Sequence, residues 1–316
     1  MEKTKKVERT HMGNTFFFTW EPTLMVWLQS HLGSFGIALA SFFSMFGEEM
    51  ALILIMGLCY WGLNKELGKF IGRNACVAMV ANPMIKNVFL RLRPYIVCPE
   101  VKCLKPVDPS ADIMDIAAQG YSFPSGHSSG SVSAYSSLAL FLKRKWAVAV
   151  GVLIPLLVGL SRFCVGVHFP TDVLFGWALG LCVILLVPFF QKKFEKRWVF
   201  YLIILVLMLP GWFYCKTNDY FTSFGMTVGF FAGDLFEEKF VKFKNTKCWW
   251  KVILRVLGGV AVYFGLNTLL KMPFSKAFLD SGTTLAYLVR AVRYAIILFV
   301  DVAIYPLCFD RIGKKK

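Results

Sequence analysis

Residues 146–190, WAVAVGVLIPLLVGLSRFCVGVHFPTDVLFGWALGLCVILLVPFF, decide the fold of this chain. The stretch contains two apolar runs, 146–164 and 172–190, with a short polar loop between them. Each run is close to the ~20 apolar residues that an α-helix needs to cross the hydrocarbon core of a bilayer. The stretch therefore predicts two membrane-spanning helices joined by a tight connection.

Comparable apolar runs recur along the whole chain, which has 316 residues, 57% of them hydrophobic and only 17% charged. A soluble domain of this length would keep a more charged surface, so the composition is typical of a polytopic membrane protein. We expect an all-α membrane helix bundle with about ten transmembrane segments in a single membrane domain. The predicted segments are 22–46, 48–63, 69–90, 127–142, 146–164, 172–190, 198–215, 220–236, 250–270 and 284–308.

The net charge of +16 comes largely from basic residues that gather in short bursts between the apolar runs. Such a distribution is typical of topology signals and argues against nucleic-acid binding. With ten spans every burst falls on one face, which the positive-inside rule makes the cytoplasm. We therefore expect cytoplasmic termini, a retained cytoplasmic tail at residues 1–21, and the loops 91–126 and 165–171 on the extracytoplasmic face of a bacterial plasma membrane. The bursts lie at residues 3–9, 65–69, 143–145, 192–197, 239–251 and 314–316.

Most of the nine cysteines are scattered singly along the apolar runs and show no spacing typical of zinc ligands. We therefore predict no metal site from them. Cys98 and Cys103 differ, because they lie five positions apart in a polar loop. They are either a disulfide, if that loop faces an oxidising side, or two free thiols.

The first group of candidate site residues is Lys86 and Arg93. Seven positions are two helical turns, so both cations point from one helix face, ~10.5 Å apart along the axis, before Pro94 ends the helix. Two cations on one stripe near the membrane surface suit a multiply charged anion. The alternative is a pair of ordinary basic residues that extend to the membrane surface at a helix end.

The second group is the turn Pro124-Ser125-Gly126-His127, directly before a predicted helix. Such a turn aims a hydroxyl and successive backbone N–H groups at an anion, with His127 facing the same spot. The alternative is an N-cap serine followed by a surface histidine.

The third group is Arg162 at the end of an apolar run, His168 in the following loop, and Asp172 four positions later. A carboxylate at that spacing accepts the imidazole N–H and leaves the other ring nitrogen nucleophilic. The alternative is that Asp172 is only a favourable charge in the first turn of a helix. All three groups fall on the same predicted face, so we expect them to form one phosphate site.

Together the three groups resemble the signature of the type 2 phosphatidic acid phosphatase and haloperoxidase superfamily. Its pattern is complete and in order here, as Lys86…Arg93-Pro94, Pro124-Ser125-Gly126-His127 and Ser161-Arg162…His168…Asp172. The resemblance covers roughly residues 45–190. It implies a six-helix membrane phosphatase core within 22–197, followed by additional transmembrane helices in 198–316 whose role stays open.

The resemblance also implies a role for each matching residue. His168 would attack phosphorus and form a phosphohistidine, and Asp172 would orient it. His127 would protonate the leaving oxygen and then activate water. The residues implied to bind the phosphate are Lys86, Arg93, Ser125, Gly126 and Arg162. Members of this superfamily work without a metal, so we expect no cofactor.

From these features we expect a lipid phosphatase in the bilayer, with an isoprenoid diphosphate slightly favoured as substrate. Sphingoid-base phosphate, phosphatidic acid and phosphatidylglycerol phosphate are the other candidates. The alternatives are a phosphotransferase, a non-enzymatic lipid or phosphate transporter and, more remotely, a haloperoxidase. Homo-oligomerisation stays open.

Acidic residues outside the three groups give two further predictions. Glu48 and Glu49 lie between the first two segments and are either a substrate gate or solvated loop charges. Asp301 lies within the last segment, where an ionised group is costly, and we expect an arginine of another helix to pair with it.

Overall fold

The computed structural model describes residues 13–309, where all regular secondary structure is helical apart from one isolated bridge between Asn14 and Arg91. The predicted all-α class is therefore confirmed. In chain order the helices are α1 (Trp20–His31), α2 (Gly33–Met45), α3 (Glu49–Leu63), α4 (Lys65–Phe89), α5 (Pro94–Val97), α6 (Ile116–Gln119), α7 (126–142), α8 (Lys145–Cys164), α9 (Pro170–Gln191), α10 (Arg197–Tyr214), α11 (Asn218–Phe236), α12 (Trp249–Leu269), α13 (Lys276–Leu279) and α14 (Thr284–Cys308).

Five of the described helices are long and apolar enough to cross a membrane: α8, α9, α10, α12 and α14. The pair α2 and α3 would add a sixth if it forms one span, although a bend of 49° separates its two halves. The prediction of a multi-span helix bundle is thus confirmed. The exact number of spans stays a prediction.

The first predicted segment, 22–46, returns to the face on which it began. Just before this segment, the Asn14 N–H donates to the Leu90 carbonyl at 2.8 Å, and the Asn14 carbonyl accepts from the Leu92 N–H at 2.9 Å. At its end, Glu48 pairs with Lys105 at 2.7 Å. These partners all belong to the end of the bundle that carries loops 91–125 and 165–169, which we call the site end. The expectation that residues 14–21 lie on the opposite face is therefore wrong, because a count of apolar lengths cannot distinguish a crossing segment from one that folds back.

A buried charge network joins α4, α10 and α11 at the other end of the bundle, which we call the far end. Lys69 Nζ lies 2.9 Å from Asp234 and 2.5 Å from Glu237, and all three side chains are almost fully buried. Arg73 and Arg197 also approach Asp234, at 3.6 and 3.3 Å. Buried charges are tolerated only when paired, so this network fixes the carboxy-terminal helices to α4.

Helices α11 and α14 pack closely because α11 presents glycines where they meet. A Cβ on Gly225 would lie 2.1 Å from the Ala291 carbonyl oxygen, and one on Gly229 would lie 2.2 Å from that of Ala295. Small residues at four-residue spacing let two membrane helices approach until their backbones touch. The two helices can therefore lie this close only because residues 225 and 229 of α11 are glycines.

Asp301, in α14, is buried but has no ion pair among residues 13–309, so the predicted arginine partner is wrong for the described chain. Its backbone carbonyl instead accepts a hydrogen bond from Trp61 Nε1 at 3.1 Å. Cys98 and Cys103 are both free thiols. They belong to different apolar clusters, Cys98 with Met25 and Cys103 beside the cluster around Tyr95, so the disulfide alternative is not observed.

Candidate active site

The first group of predicted residues lies at the site end of α4. Lys86 occupies the last turn of this helix, which ends at Leu90 in a left-handed conformation with φ +51°. The chain then runs extended through Arg93, and Pro94 begins the next short helix. The two cations are thus held on different elements, although the two-turn spacing predicts one continuous helix face.

The guanidinium of Arg93 is buried and holds three loop carbonyls. It donates to the backbone oxygens of Gln119 at 2.6 Å, Gly120 at 2.9 Å and Val167 at 2.8 Å. The long loop 98–125 and the short loop before α9 are therefore tied to the same cation. This arrangement places a fixed positive charge in the lining of the site.

The second group forms the start of α7. Ser125 is the N-cap: its oxygen accepts the Ser128 N–H at 3.3 Å and the Ser128 O–H at 2.9 Å. Asn82 of α4 holds the preceding turn, since its side-chain N–H donates to the Pro124 carbonyl at 3.2 Å. Ser125 therefore caps the helix, as the alternative interpretation of this turn predicts. Its contact with phosphate stays a prediction. His127 lies in the first turn, as expected.

The third group is organised around Asp172, which is fully buried near the start of α9. Its carboxylate accepts from the Phe169 N–H at 2.7 Å, the Ser122 O–H at 2.5 Å and Arg91 Nη1 at 2.7 Å. His168 Nδ1 lies 3.6 Å from the same carboxylate. Asp172 thus stabilises the helix start and lies beside the imidazole at a distance longer than a hydrogen bond, so its predicted acceptance of the imidazole N–H stays a prediction.

The two ring nitrogens of His168 have different surroundings. Nδ1 faces the Ser122 hydroxyl at 3.4 Å and Asp172, which leaves Nε2 for the cavity. The preceding turn needs Gly166, because its φ is +82° and a Cβ there would lie 2.0 Å from the Lys102 carbonyl oxygen. Burial, with the nearby cations Arg93, Arg162 and Lys86, holds the pKa of His168 well below its usual range. The ring is therefore neutral at neutral pH.

A polar cavity of about 450 Å³ collects most of the predicted residues. Its lining includes Lys86, Arg93, Gly126, His127 and His168. The remaining three predicted residues, Ser125, Arg162 and Asp172, are buried behind this surface. One cavity thus brings together two histidines and two cations from four different segments of the chain.

A family model described as the PAP2 superfamily matches residues 70–196, a range that contains all three groups of site residues. The chain carries a PAP2 superfamily domain. A second model, described as the PAP2 superfamily phosphatase transmembrane extension, matches residues 221–316. The resemblance found in the motifs is therefore confirmed, and the carboxy-terminal helices have a family model of their own.

Two curated relatives are similar to part of this chain. Phosphatidylglycerophosphatase B of Bacillus subtilis is 40% identical over 85 residues, which cover 24% of this chain and 42% of that protein. Undecaprenyl-diphosphatase of Sulfolobus acidocaldarius is 31% identical over 140 residues, which cover 44% of this chain and 63% of that protein. The chain therefore spans less than two thirds of the length of either relative. No solved structure matches it.

Arg91 and Glu21 form contacts beside His168 that the motifs do not reveal. Arg91 Nη2 donates to Glu21 at 2.9 Å while its Nη1 donates to Asp172, and the guanidinium lies over the rings of Phe16 and Phe169. Glu21 also accepts from the Thr171 N–H at 3.0 Å. The returning amino-terminal segment is thus bonded directly to the support of His168.

Arg162 is buried in the PAP2 domain, where Nη1 donates to the hydroxyl of Ser44 at the end of α2. Its Nε has no hydrogen-bond partner among residues 13–309. A buried guanidinium with a free donor is costly unless an anion binds nearby. The arrangement fits the predicted role of Arg162 as a phosphate ligand.

The two acids predicted as a gate are separated in the structure. Glu48 pairs with Lys105 of the long loop and is partly exposed. Glu49 lines the cavity and accepts a hydrogen bond from Tyr263 of α12 at 2.9 Å. Only Glu49 is therefore in a position to contact a molecule in the cavity.

Proposed function

We propose that the protein is an integral membrane phosphatase that hydrolyses a lipid phosphate or diphosphate through a phosphohistidine at His168. One observation carries the proposal. The Nδ1 side of His168 faces Asp172 and Ser122, while its free side shares a cavity with His127, Lys86 and Arg93. An oriented neutral imidazole facing cations and a second imidazole suits covalent phosphoryl transfer.

In the first step, Nε2 of His168 attacks phosphorus in line, an N–P bond forms and the ester P–O bond breaks. His127 takes up a proton when the phosphate dianion binds beside it and gives that proton to the leaving oxygen, so the alcohol departs neutral. In the second step, His127 removes a proton from water, the resulting hydroxide attacks phosphorus, and the N–P bond breaks to release phosphate. Asp172 stabilises the imidazole while it carries the phosphoryl group.

The charge on the equatorial phosphate oxygens is balanced by protein cations in this proposal. Lys86, Arg93 and Arg162 provide fixed positive charge, and Ser125 and the Gly126 N–H add hydrogen bonds. The reaction as proposed needs no metal ion. Electrostatic preorganisation of this kind commonly supplies the largest part of the acceleration in phosphoryl transfer.

The substrate is proposed to be a lipid because the site lies at one end of a membrane-spanning bundle. The names of the two relatives point to phosphatidylglycerophosphate and undecaprenyl diphosphate, so both chemistries belong in the substrate panel. We propose a bacterial plasma-membrane location with the site on the extracytoplasmic side. Labelling of an introduced Lys105→Cys in sealed spheroplasts by a membrane-impermeant maleimide tests the side, since protection from the reagent would contradict it.

The test is phosphate release by the purified protein from a panel of lipid phosphates, with and without EDTA. We expect release that EDTA does not abolish and that His168→Ala abolishes. His31→Ala is the matched control, because His31 lies exposed on α1, stacked on Trp27, outside the cavity. Loss of activity with EDTA would refute the metal-free reaction, and full activity in His168→Ala would refute the nucleophile. Incorporation of ¹⁸O from labelled water into phosphate separates hydrolysis from transfer to another acceptor.

A further inference from the structure

The carboxy-terminal helices contribute one part of the cavity lining, which we call the extension wall. Helix α11 contributes its first turns, and α14 contributes one face near its start. The lining residues from these two helices are Asn218, Asp219, Thr222, Ser223, Arg290 and Tyr294. The transmembrane extension is therefore part of the candidate active site, not merely an anchor beside it.

Asp219 is the acidic group of this wall that faces the phosphate-binding cations. Its carboxylate attracts the ammonium of Lys86 and also interacts with Arg93. Glu49 lines the same cavity, where its charge and that of Asp219 repel each other, and Tyr263 donates a hydrogen bond of 2.9 Å to it. A carboxylate beside an anion site repels a second phosphate, but it accepts hydrogen bonds from hydroxyl and ammonium groups.

The volume of the cavity also bears on what it holds. It measures about 450 Å³. A phosphoryl group fills the space of only a few water molecules, each ~30 Å³. Most of the cavity is therefore left for the part of the substrate that adjoins the ester oxygen, and the lining of that part is polar on the extension side.

We propose that the extension wall selects phosphate monoesters whose alcohol carries hydroxyl or ammonium donors beside the ester oxygen. This inference rests on the proposed function and names its substrate class. Asp219 accepts from the donor on the head group, with Glu49 of α3 as a second acceptor in the same cavity. Arg290, on the same wall, is placed to meet an acceptor such as an ester carbonyl. A substrate with a bare alkyl chain leaves these groups without partners.

The experiment compares kcat/KM for four substrates with the purified full chain. Sphingosine phosphate and octadecyl phosphate share a chain length, but only the first carries donors beside the ester. Oleoyl glycerol phosphate supplies a hydroxyl without an ammonium, and farnesyl diphosphate supplies a second phosphate. We expect the wild type to prefer at least one donor-bearing monoester over octadecyl phosphate by about tenfold, the worth of one hydrogen bond to a charged group.

The decisive variant is Asp219→Asn, which keeps the size of the side chain and removes its charge. We expect the preference for the donor-bearing monoester to fall to about twofold, mostly through KM, because the interaction is made in the bound substrate. Asp280→Asn is the matched control, since Asp280 is an exposed acid of the carboxy-terminal part of the chain that does not line the cavity. The thermal midpoint of each variant shows that it is folded.

The outcomes separate this inference from the proposed function. Equal wild-type kcat/KM for octadecyl phosphate and the donor-bearing monoesters would overturn the inference alone. So would a preference for farnesyl diphosphate over all monoesters, or an undiminished preference in Asp219→Asn. Release of phosphate from none of the four substrates would overturn the proposed function, and this inference with it.

Discussion

Replacement of Arg91 by methionine tests whether the amino-terminal segment supports the nucleophile. Arg91 is 1% exposed and lies between two carboxylates, Glu21 and Asp172, which are both fully buried. Methionine keeps much of the side-chain volume but removes the charge and the donors. Both acids would then be buried without their cationic partner, and Asp172 would lose one of the three hydrogen bonds that fix it opposite His168.

The expected cost is large because one partner of a buried ion network is removed while the others stay. Such losses amount to about 3–5 kcal/mol. Misplacement of the carboxylate behind a nucleophile by ~1 Å lowers the rate on the order of 100-fold. Arg91→Lys keeps the charge but not the planar fork, so we expect an intermediate effect on stability and rate. Arg91→Met combined with Glu21→Gln should recover ~0.5–3 kcal/mol relative to additivity, because only one uncompensated acid remains.

Two measurements decide this prediction. Thermal unfolding in detergent micelles ranks the stability of the wild type, the single variants and the double variant, and phosphate release gives kcat. A thermal midpoint and a kcat for Arg91→Met within error of the wild type would refute the reasoning. Purely additive effects of the two changes would show that Arg91 and Glu21 do not act as a pair.

Three further predictions concern the nucleophile, the second histidine and the far-end charge network. Burial lowers the pKa of His168, so the imidazole stays neutral and nucleophilic on acidification. We therefore expect the fall of kcat/KM at low pH to lie well below pH 6.5. A fall centred at or above pH 6.5 would contradict this. With p-nitrophenyl phosphate, whose leaving group needs no acid, His127→Asn should release a burst of about one nitrophenolate per protein. The variant should then stop at the phosphohistidine, because it cannot activate water. Steady turnover without a burst would contradict this. Asp234→Asn should lower the free energy of unfolding by about 3–5 kcal/mol, because Lys69 loses a buried partner. Glu238→Gln, on the exposed edge of the network, should lower it by under about 1 kcal/mol. Equal thermal midpoints for the two variants would refute a structural role of the network.

The helices could be predicted well from the sequence because the signal is local. The apolar runs at 146–164 and 172–190 correspond to helices Lys145–Cys164 and Pro170–Gln191. A long apolar run leaves a chain in lipid few choices besides a helix, since every backbone polar group must be satisfied internally. Whether such a helix crosses the bilayer is not a local property, and the prediction fails for the amino-terminal segment at this point.

The site could be predicted as a set of residues but not as a geometry. Lys86, His127 and His168 lie in one cavity as the motifs predict, because their spacing matches a known signature. Glu21 could not be found in this way, since it meets Arg91 across 70 positions of sequence and no periodicity links them. Asp219 was likewise missed, because an acid in the first turn of a helix has an ordinary explanation in the helix dipole.

The close contact of α11 with α14 has a consequence for how this protein could diverge. Gly225 and Gly229 lie about two and three turns below Asp219 on the same helix, and Arg290 directly precedes Ala291, which contacts Gly225. A single methyl group added at either glycine would force the two helices apart, and with them the two sides of the cavity wall. The size of the accepted head group could therefore change during evolution through substitutions that never contact a substrate. Comparisons of related enzymes restricted to cavity residues would overlook such changes.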